Sequence, residues 1–244
     1  MLPAGRGECA GAWGPAPPRT PFKTLPPLPA QSGKGDILPK TLLKPSEASP
    51  CFTPGAEIAT AKGPRLVETL RPGDRVITRD NGLQPILWIG SRTLSYGDLR
   101  RAPELLPVLI RPGAMADGRP YKRMVVSPRH RFLFVRNSAR RPEVLTAADR
   151  LIDGDRIRPV DVLGVSYIHL LFEAHQIVLA DGVWTESFRP DAEAWRGLSN
   201  PQRLEIELLF PELRAGGLRR ISRAARPFDD VPLWKRRMKP LTAR

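Results

Sequence analysis

Cys51-Phe52-Thr53-Pro54-Gly55-Ala56-Glu57-Ile58 marks the point where the chain changes character. Upstream, eleven of the 28 prolines fall within the first 50 residues, in runs such as Pro15-Ala16-Pro17-Pro18 and Pro26-Pro27-Leu28-Pro29. Proline lacks a backbone donor and restricts the residue before it, so residues 1–50 are expected to form a disordered or polyproline-type leader. Downstream, short alternations of apolar and polar residues begin at once. Glu57 to Thr60 reads as a strand, Ala61 to Pro64 as a turn, and Arg71-Pro72-Gly73-Asp74 as a tight type II turn. Arg75 to Thr78 alternates as a half-buried strand should, and Asp80-Asn81-Gly82 signals a reversal into Pro85 to Ile89.

The same reading extends along the middle of the chain. Leu99 to Leu109 is broken by Pro103 and Pro107 and is expected to be irregular with short strands. Arg123 to Val126 and Arg131 to Val135 are strands, Val144 to Asp149 a helical turn, and Asp153-Gly154-Asp155 a reversal. Val162 to Leu171, Gln176 to Leu179 and Val183 to Thr185 are the closing strands. Short strands with turns about every 8 to 12 residues predict an all-β barrel or sandwich, with too few helices for a parallel α/β sheet. Beyond Phe188 the spacing becomes helical over Ala192 to Leu198 and Pro201 to Phe210. There Leu204, Leu208 and Leu209 share a face read as packing on the barrel, with partner binding as the alternative. Three parts follow: a leader over 1–50, a β domain over 51–188, and a helical, basic extension over 189–244.

Composition limits the function classes. The net charge is +14, with 39 Lys and Arg, yet the basic residues are scattered and do not interleave with aromatics, so a solvated surface is expected over nucleic-acid binding. Residues 189–244 carry thirteen Lys or Arg against seven Asp or Glu. Two cysteines make no disulfide framework, no Cys/His cluster has zinc spacing, and no apolar run reaches the ~20 residues of a bilayer span. The expectation is a monomeric cytoplasmic protein by default, with export lacking an N-terminal signal left open, and with no membrane partner, metal or cofactor.

Three blocks carry the chemistry. The first is Cys51 to Ile58. The second is Val126-Ser127-Pro128-Arg129-His130. The third runs from Tyr167-Ile168-His169 through His175-Gln176 to Val183-Trp184-Thr185-Glu186-Ser187. Taken singly, Cys51 reads as an inert thiol and each histidine as a satisfied strand residue. Together the blocks resemble, in order and spacing, the Hedgehog/intein (Hint) domains, and are most similar to bacterial Hint-domain proteins that open Cys-Phe-Thr-Pro-Gly. Leu70 to Val76, Asp80-Asn81-Gly82, Glu207 to Leu213 and Ala225-Arg226-Pro227 are similar to that group as well.

That resemblance implies a horseshoe-like β fold of many short strands and a single-turnover, autocatalytic self-cleavage. Cys51 would be the nucleophile, attacking the Pro50 carbonyl to exchange an amide for a thioester, with the chain's own N-terminal segment as substrate. His130 would protonate the departing nitrogen, with Ser127 at the same amide in place of the family's threonine, and His169 and His175 in support. Water or an external nucleophile would resolve the thioester. Inteins close with His-Asn, whereas this chain has Glu186-Ser187, which lacks the side-chain amide that splicing requires. Two further readings stay beside this one: an inactive scaffold that binds partners through its tails, and a nucleic-acid binder.

Overall fold

A computed structural model describes residues 49–136, 142–211, 222–229 and 238–240, all within the unit Thr41–Arg244. The expected leader therefore lies outside the described residues except for Ser49 and Pro50, as does the basic stretch 218–221 of the tail. The strands are β1 (Glu57–Thr60), β2 (Gly63–Leu66), β3 (Arg75–Thr78), β4 (Gly82–Pro85), β5 (Trp88–Ser95), β6 (Val108–Ile110), β7 (Met124–Val126), β8 (Arg131–Arg136), β9 (Glu143–Ala147), β10 (Ile157–Pro159), β11 (Gly164–Leu171), β12 (Ile177–Ala180), β13 (Val183–Glu186) and β14 (Met238–Pro240). The helices are α1 (Tyr96–Arg101), α2 (Ala192–Gly197) and α3 (Asn200–Leu209). The all-β expectation holds. Among the described residues no helix is long and apolar enough to cross a membrane.

Nine strands form one sheet along the path β14-β8-β13-β12-β1-β3-β4, with β2 on β1 and β9 on β8. A three-stranded sheet β10-β6-β7 and the long β5–β11 ribbon complete the structure. All named pairings are antiparallel, so short local turns set the registers. Thr53-Pro54-Gly55-Ala56 closes a turn through Ala56 N–H to Thr53 C=O at 3.3 Å, and Gly55 takes the left-handed φ of 93° that the third position of a type II turn demands. Asp181 and Gly182, both at positive φ, join β12 to β13 in a two-residue hairpin with Ala180 opposite Val183. Phe52, Ile58, Phe132, Phe134 and Leu170 lie in the main core.

Four local expectations are corrected. Gly63 to Leu66 is a strand, because Ala61-Lys62 alone reverses the chain and Thr60 then faces Gly63. Val144 to Asp149 is strand β9 followed by one 3-10 turn, since Leu145 and Val144 pair with Leu133 and Phe134 of β8. Helix α1 forms just before Pro103, started by a Ser95/Asp98 capping box. And α3 buries Ile206 rather than the leucine face: Leu204 and Leu208 are 56% and 64% exposed. The orientation of α3 is fixed by polar contacts, Trp88 Nε1–H to Glu205 at 2.7 Å and Gln202 Nε2–H to Ser91 C=O at 3.0 Å.

Candidate functional site

The Thr53–Ala56 turn leaves Cys51-Phe52 extended, and Phe52 bridges two otherwise separate strands, Val126 of β7 and Ile168 of β11. That bridge delivers the start of the β domain between the second and third sequence blocks. Phe52 N–H donates to Ile168 C=O at 3.0 Å and Ser127 N–H to Cys51 C=O at 3.1 Å. Beyond the turn, Thr53 is pinned to Val125 C=O at 2.8 Å.

Around the Pro50–Cys51 peptide bond the contacts are short and specific. Cys51 N–H donates to Ser127 Oγ at 2.9 Å. The Ser127 hydroxyl and the Cys51 thiol both donate to the Ser49 carbonyl, at 2.8 and 3.0 Å. His169 Nδ1 lies 3.4 Å from Cys51 Sγ and 3.3 Å from the Pro50 carbonyl oxygen, with Nε2 3.7 Å from the sulfur. One imidazole thus reaches both the thiol and the carbonyl it faces. The His169 ring stacks with Trp88 (centroids 6.4 Å) and tilts against Phe188 (4.6 Å). Gly90, opposite His169 in the β5–β11 register, makes room for that indole: a Cβ there would lie 1.9 Å from Trp88 Cη2.

Burial sets the electrostatics. Burial among Leu94, Leu99, Leu105 and Tyr167 raises the Cys51 thiol well above the usual thiol range, and the Ser127 contact only partly offsets this. The thiol is therefore protonated at neutral pH. Burial lowers His169 to about 4, with the contact to Pro50 C=O opposing the shift, so the ring is neutral and can either accept the thiol proton or donate to the carbonyl.

His130 sits on the far side of Phe52, edge-on to Phe52 (4.6 Å) and Phe132 (5.4 Å), and burial lowers it to about 4 as well. Its Nε2 is bonded to Thr185 Oγ1. Because that hydroxyl donates to Arg131 C=O at 2.7 Å, it must accept from His130, which fixes the Nε2–H tautomer. Nδ1 is left as a bare lone pair with no hydrogen-bond partner among the described residues. The direct partner of the Cys51 amide is thus Ser127 rather than His130. His175 joins a separate buried group: its Nε2 lies 3.3 Å from Glu186, and its Nδ1 accepts from Ala225 N–H at 3.0 Å. Burial opposes the Glu186 charge, but His175 and Arg131 hold its carboxyl below the usual range. Ser187, where inteins have asparagine, closes a strand by exchanging bonds with the Gln176 backbone, each 2.9 Å.

Thr185, Arg92 and the Ser49 carbonyl are functional neighbours that sequence reasoning missed. Glu186, the one charge in the short strand Val183–Glu186, was the one visible signal. Arg92 and Thr185 reach the site only through register, Arg92 opposite Tyr167 and Thr185 opposite Phe132. Among the described residues no cluster of three or more His, Cys, Asp or Glu has the arrangement of a metal site.

An all-β fold that turns a thiol, a hydroxyl and an imidazole onto a peptide bond of its own chain defines the intein-like class, whose members have self-processing capacity in general. The chain belongs to the Hint domain family, whose family model matches residues 50–192. No curated protein matches it significantly. Among solved structures it is similar to a bacterial intein-like domain from Clostridium thermocellum, at 16% identity and a TM-score of 0.39, covering 57% of this chain and 98% of that one. A DnaB intein from Synechocystis sp. PCC 6803 is similar at 10% identity and a TM-score of 0.37, covering 56% and 97%.

Proposed function

We propose that the chain cleaves itself between Pro50 and Cys51 by an N-to-S acyl shift, without splicing. The observation that carries this reading is His169 Nδ1 standing 3.4 Å from the thiol and 3.3 Å from the Pro50 carbonyl oxygen. The sulfur attacks the Pro50 carbonyl carbon, an S–C bond forms, and the C–N bond breaks. One proton moves from sulfur to nitrogen overall. His169 takes it from the thiol, which burial would otherwise keep unreactive, and its ring then bonds the charged carbonyl oxygen. Ser127 holds the amide N–H and the Ser49 carbonyl together and so fixes the scissile bond. As the intermediate collapses, His169 returns that proton to the departing Cys51 nitrogen, because His130 is neutral with its Nδ1 unprotonated and has no proton to give from that position. The cavity beside Cys51 measures about 20 Å³, room for about one water to hydrolyse the thioester. Serine at 187 cannot form a succinimide, so the reaction ends at cleavage or acyl transfer.

The test is intact mass. Incubated with a small thiol, the wild-type chain should yield a fragment beginning at Cys51, and Cys51→Ala should stay whole. If both stay whole, or both are cut, self-cleavage is wrong. The second reading, an inactive scaffold acting through its tails, draws on the exposed Leu204 and Leu208 of α3 and predicts an uncut wild-type chain.

A further inference from the structure

Both ring nitrogens of His169 are spent on the reacting groups. Among the described residues their polar contacts are the Cys51 sulfur and the Pro50 carbonyl oxygen, so no further polar group orients the ring as the third member of a catalytic triad does. Orientation falls to the aromatic rings packed against it, Phe188 and Trp88. Phe188 is held by its own backbone, N–H to Leu170 C=O at 2.9 Å. Trp88 is held differently. In the β5–β11 ladder Trp88 faces Leu171 and Gly90 faces His169, so Trp88 and His169 are diagonal neighbours on one face. The indole crosses the bare Gly90 backbone, where a Cβ would meet three of its carbons at 1.9, 2.5 and 2.7 Å. Its Nε1–H donates to Glu205 of α3 at 2.7 Å, the partner that a buried indole needs. Glu205 is itself exposed and lies beyond residue 192, where the family match ends.

We propose that Glu205 is a positioning residue for self-cleavage: through the Trp88 indole it sets the orientation in which His169 faces both the thiol and the Pro50 carbonyl. The inference rests on the self-cleavage reading above. Without Glu205 the buried indole N–H is left unpaired, and an indole that turns to find another acceptor moves the ring on which His169 stacks. Displacing a group that must reach two reacting atoms by about 1 Å slows a reaction by up to roughly a hundredfold. Because Glu205 is exposed, replacing it removes the bond to Trp88 without opening a cavity in the core. The helical extension is then part of the machinery at Cys51 as well as a cover for the sheet.

The experiment follows release of the Cys51–Arg244 fragment from the full chain by mass, with 2-mercaptoethanesulfonate as the thiol, below the thermal midpoint of every variant. Glu205→Leu should slow release roughly ten- to hundredfold. Glu205→Gln keeps an acceptor oxygen and should restore most of the wild-type rate. Trp88→Phe has no N–H to place, so adding Glu205→Leu to it should cost nothing further. Gln202→Ala removes the other bond from α3 to β5 and should leave the rate unchanged. In the Cys51→Ala chain, which cannot cleave, Glu205→Leu should move the His169 ring signals in NMR spectra and leave those of His130 in place. A Glu205→Leu chain as fast as Gln202→Ala, or one no slower than Glu205→Gln, overturns the positioning role and leaves self-cleavage standing. If wild type releases nothing, self-cleavage is overturned, and the His169 signals alone decide whether Glu205 orients the ring: unmoved signals mean that it does not.

Discussion

At the scale of single residues, the site is built from titratable groups that burial holds in their neutral forms. His130 and His169 are each packed between aromatic rings, and burial brings both from 6.5 to about 4. Unfolding releases them to the ordinary histidine range, so between those values the unfolded chain binds protons that the folded chain does not. Stability contributed by the neutral rings is thus complete above pH ~6.5 and falls as the pH drops towards 4. Between pH 7 and 5, where most carboxylates stay ionised in both states, the loss should be about 2 kcal/mol per histidine. Urea unfolding of the Cys51→Ala chain measures it, and His130→Gln should remove about half of the slope. A flat profile over that range would mean the rings are solvated. Cys51 and Ser127 were legible in the sequence only through the resemblance of the three ordered blocks to Hint domains, since either residue taken singly reads as an ordinary strand-end side chain. The division of labour between the two histidines was not, since it depends on which side of Phe52 each ring falls.

At the scale of elements, periodicity is a good guide to strands and a poor one to the buried face of a short helix. The alternation of Arg75 to Thr78 and the Asp80-Asn81-Gly82 reversal become β3, its loop and β4 as read, with Thr78 opposite Gly82. In β9, a nearly continuous apolar run fits a doubly buried strand as well as a helical turn, and only the ladder to β8 decides it. In α3 the leucines outnumber the one isoleucine, yet the Glu205 bond to Trp88 and the Gln202 bond to β5 rotate the helix so that Ile206 and Phe210 enter the core. The consequence separates the two faces. Ile206→Ala leaves a cavity and should cost about 2–4 kcal/mol in chemical denaturation. Leu204→Gln and Leu208→Gln should each stay within about 0.5 kcal/mol. If the leucine variants are the costly pair, the packing of α3 is the reverse of that described.

At the scale of the whole molecule, the match to the family ends at residue 192, but the sheet does not. Residues 222–229 run along β9, with Leu145 N–H on Pro227 C=O at 2.9 Å and Asp229 N–H on Leu145 C=O at 2.8 Å. Strand β14 adds a further edge to β8. Arg226 reaches Glu143 and Asp80, each at 2.7 Å, and Ala225 N–H caps His175. Phe228 lies under both Arg131 (4.1 Å) and Arg189 (4.9 Å). Arg131 in turn holds Glu186, and its carbonyl orients the Thr185 hydroxyl that fixes the His130 tautomer. Phe228 of the tail thus packs on the same Arg131 that bonds Glu186 and Thr185, the hydroxyl partner of His130. None of this was readable from a segment whose composition shows only helical spacing and basic charge, because each contact pairs residues about forty or more positions apart. A chain stopped at Pro211 loses several backbone bonds worth about 1 kcal/mol each and leaves the buried His175 nitrogen without its donor. It should unfold with a stability lower by roughly 3–5 kcal/mol, a shift of about 6–20 °C in the thermal midpoint. Because Arg131 loses the ring that positions it, thiol-induced release of the Cys51 fragment should slow as well, and by more in Phe228→Ala than in the exposed-face control Leu204→Gln. Unchanged stability and rate in the shortened chain would mean that the tail lies on the sheet without supporting it.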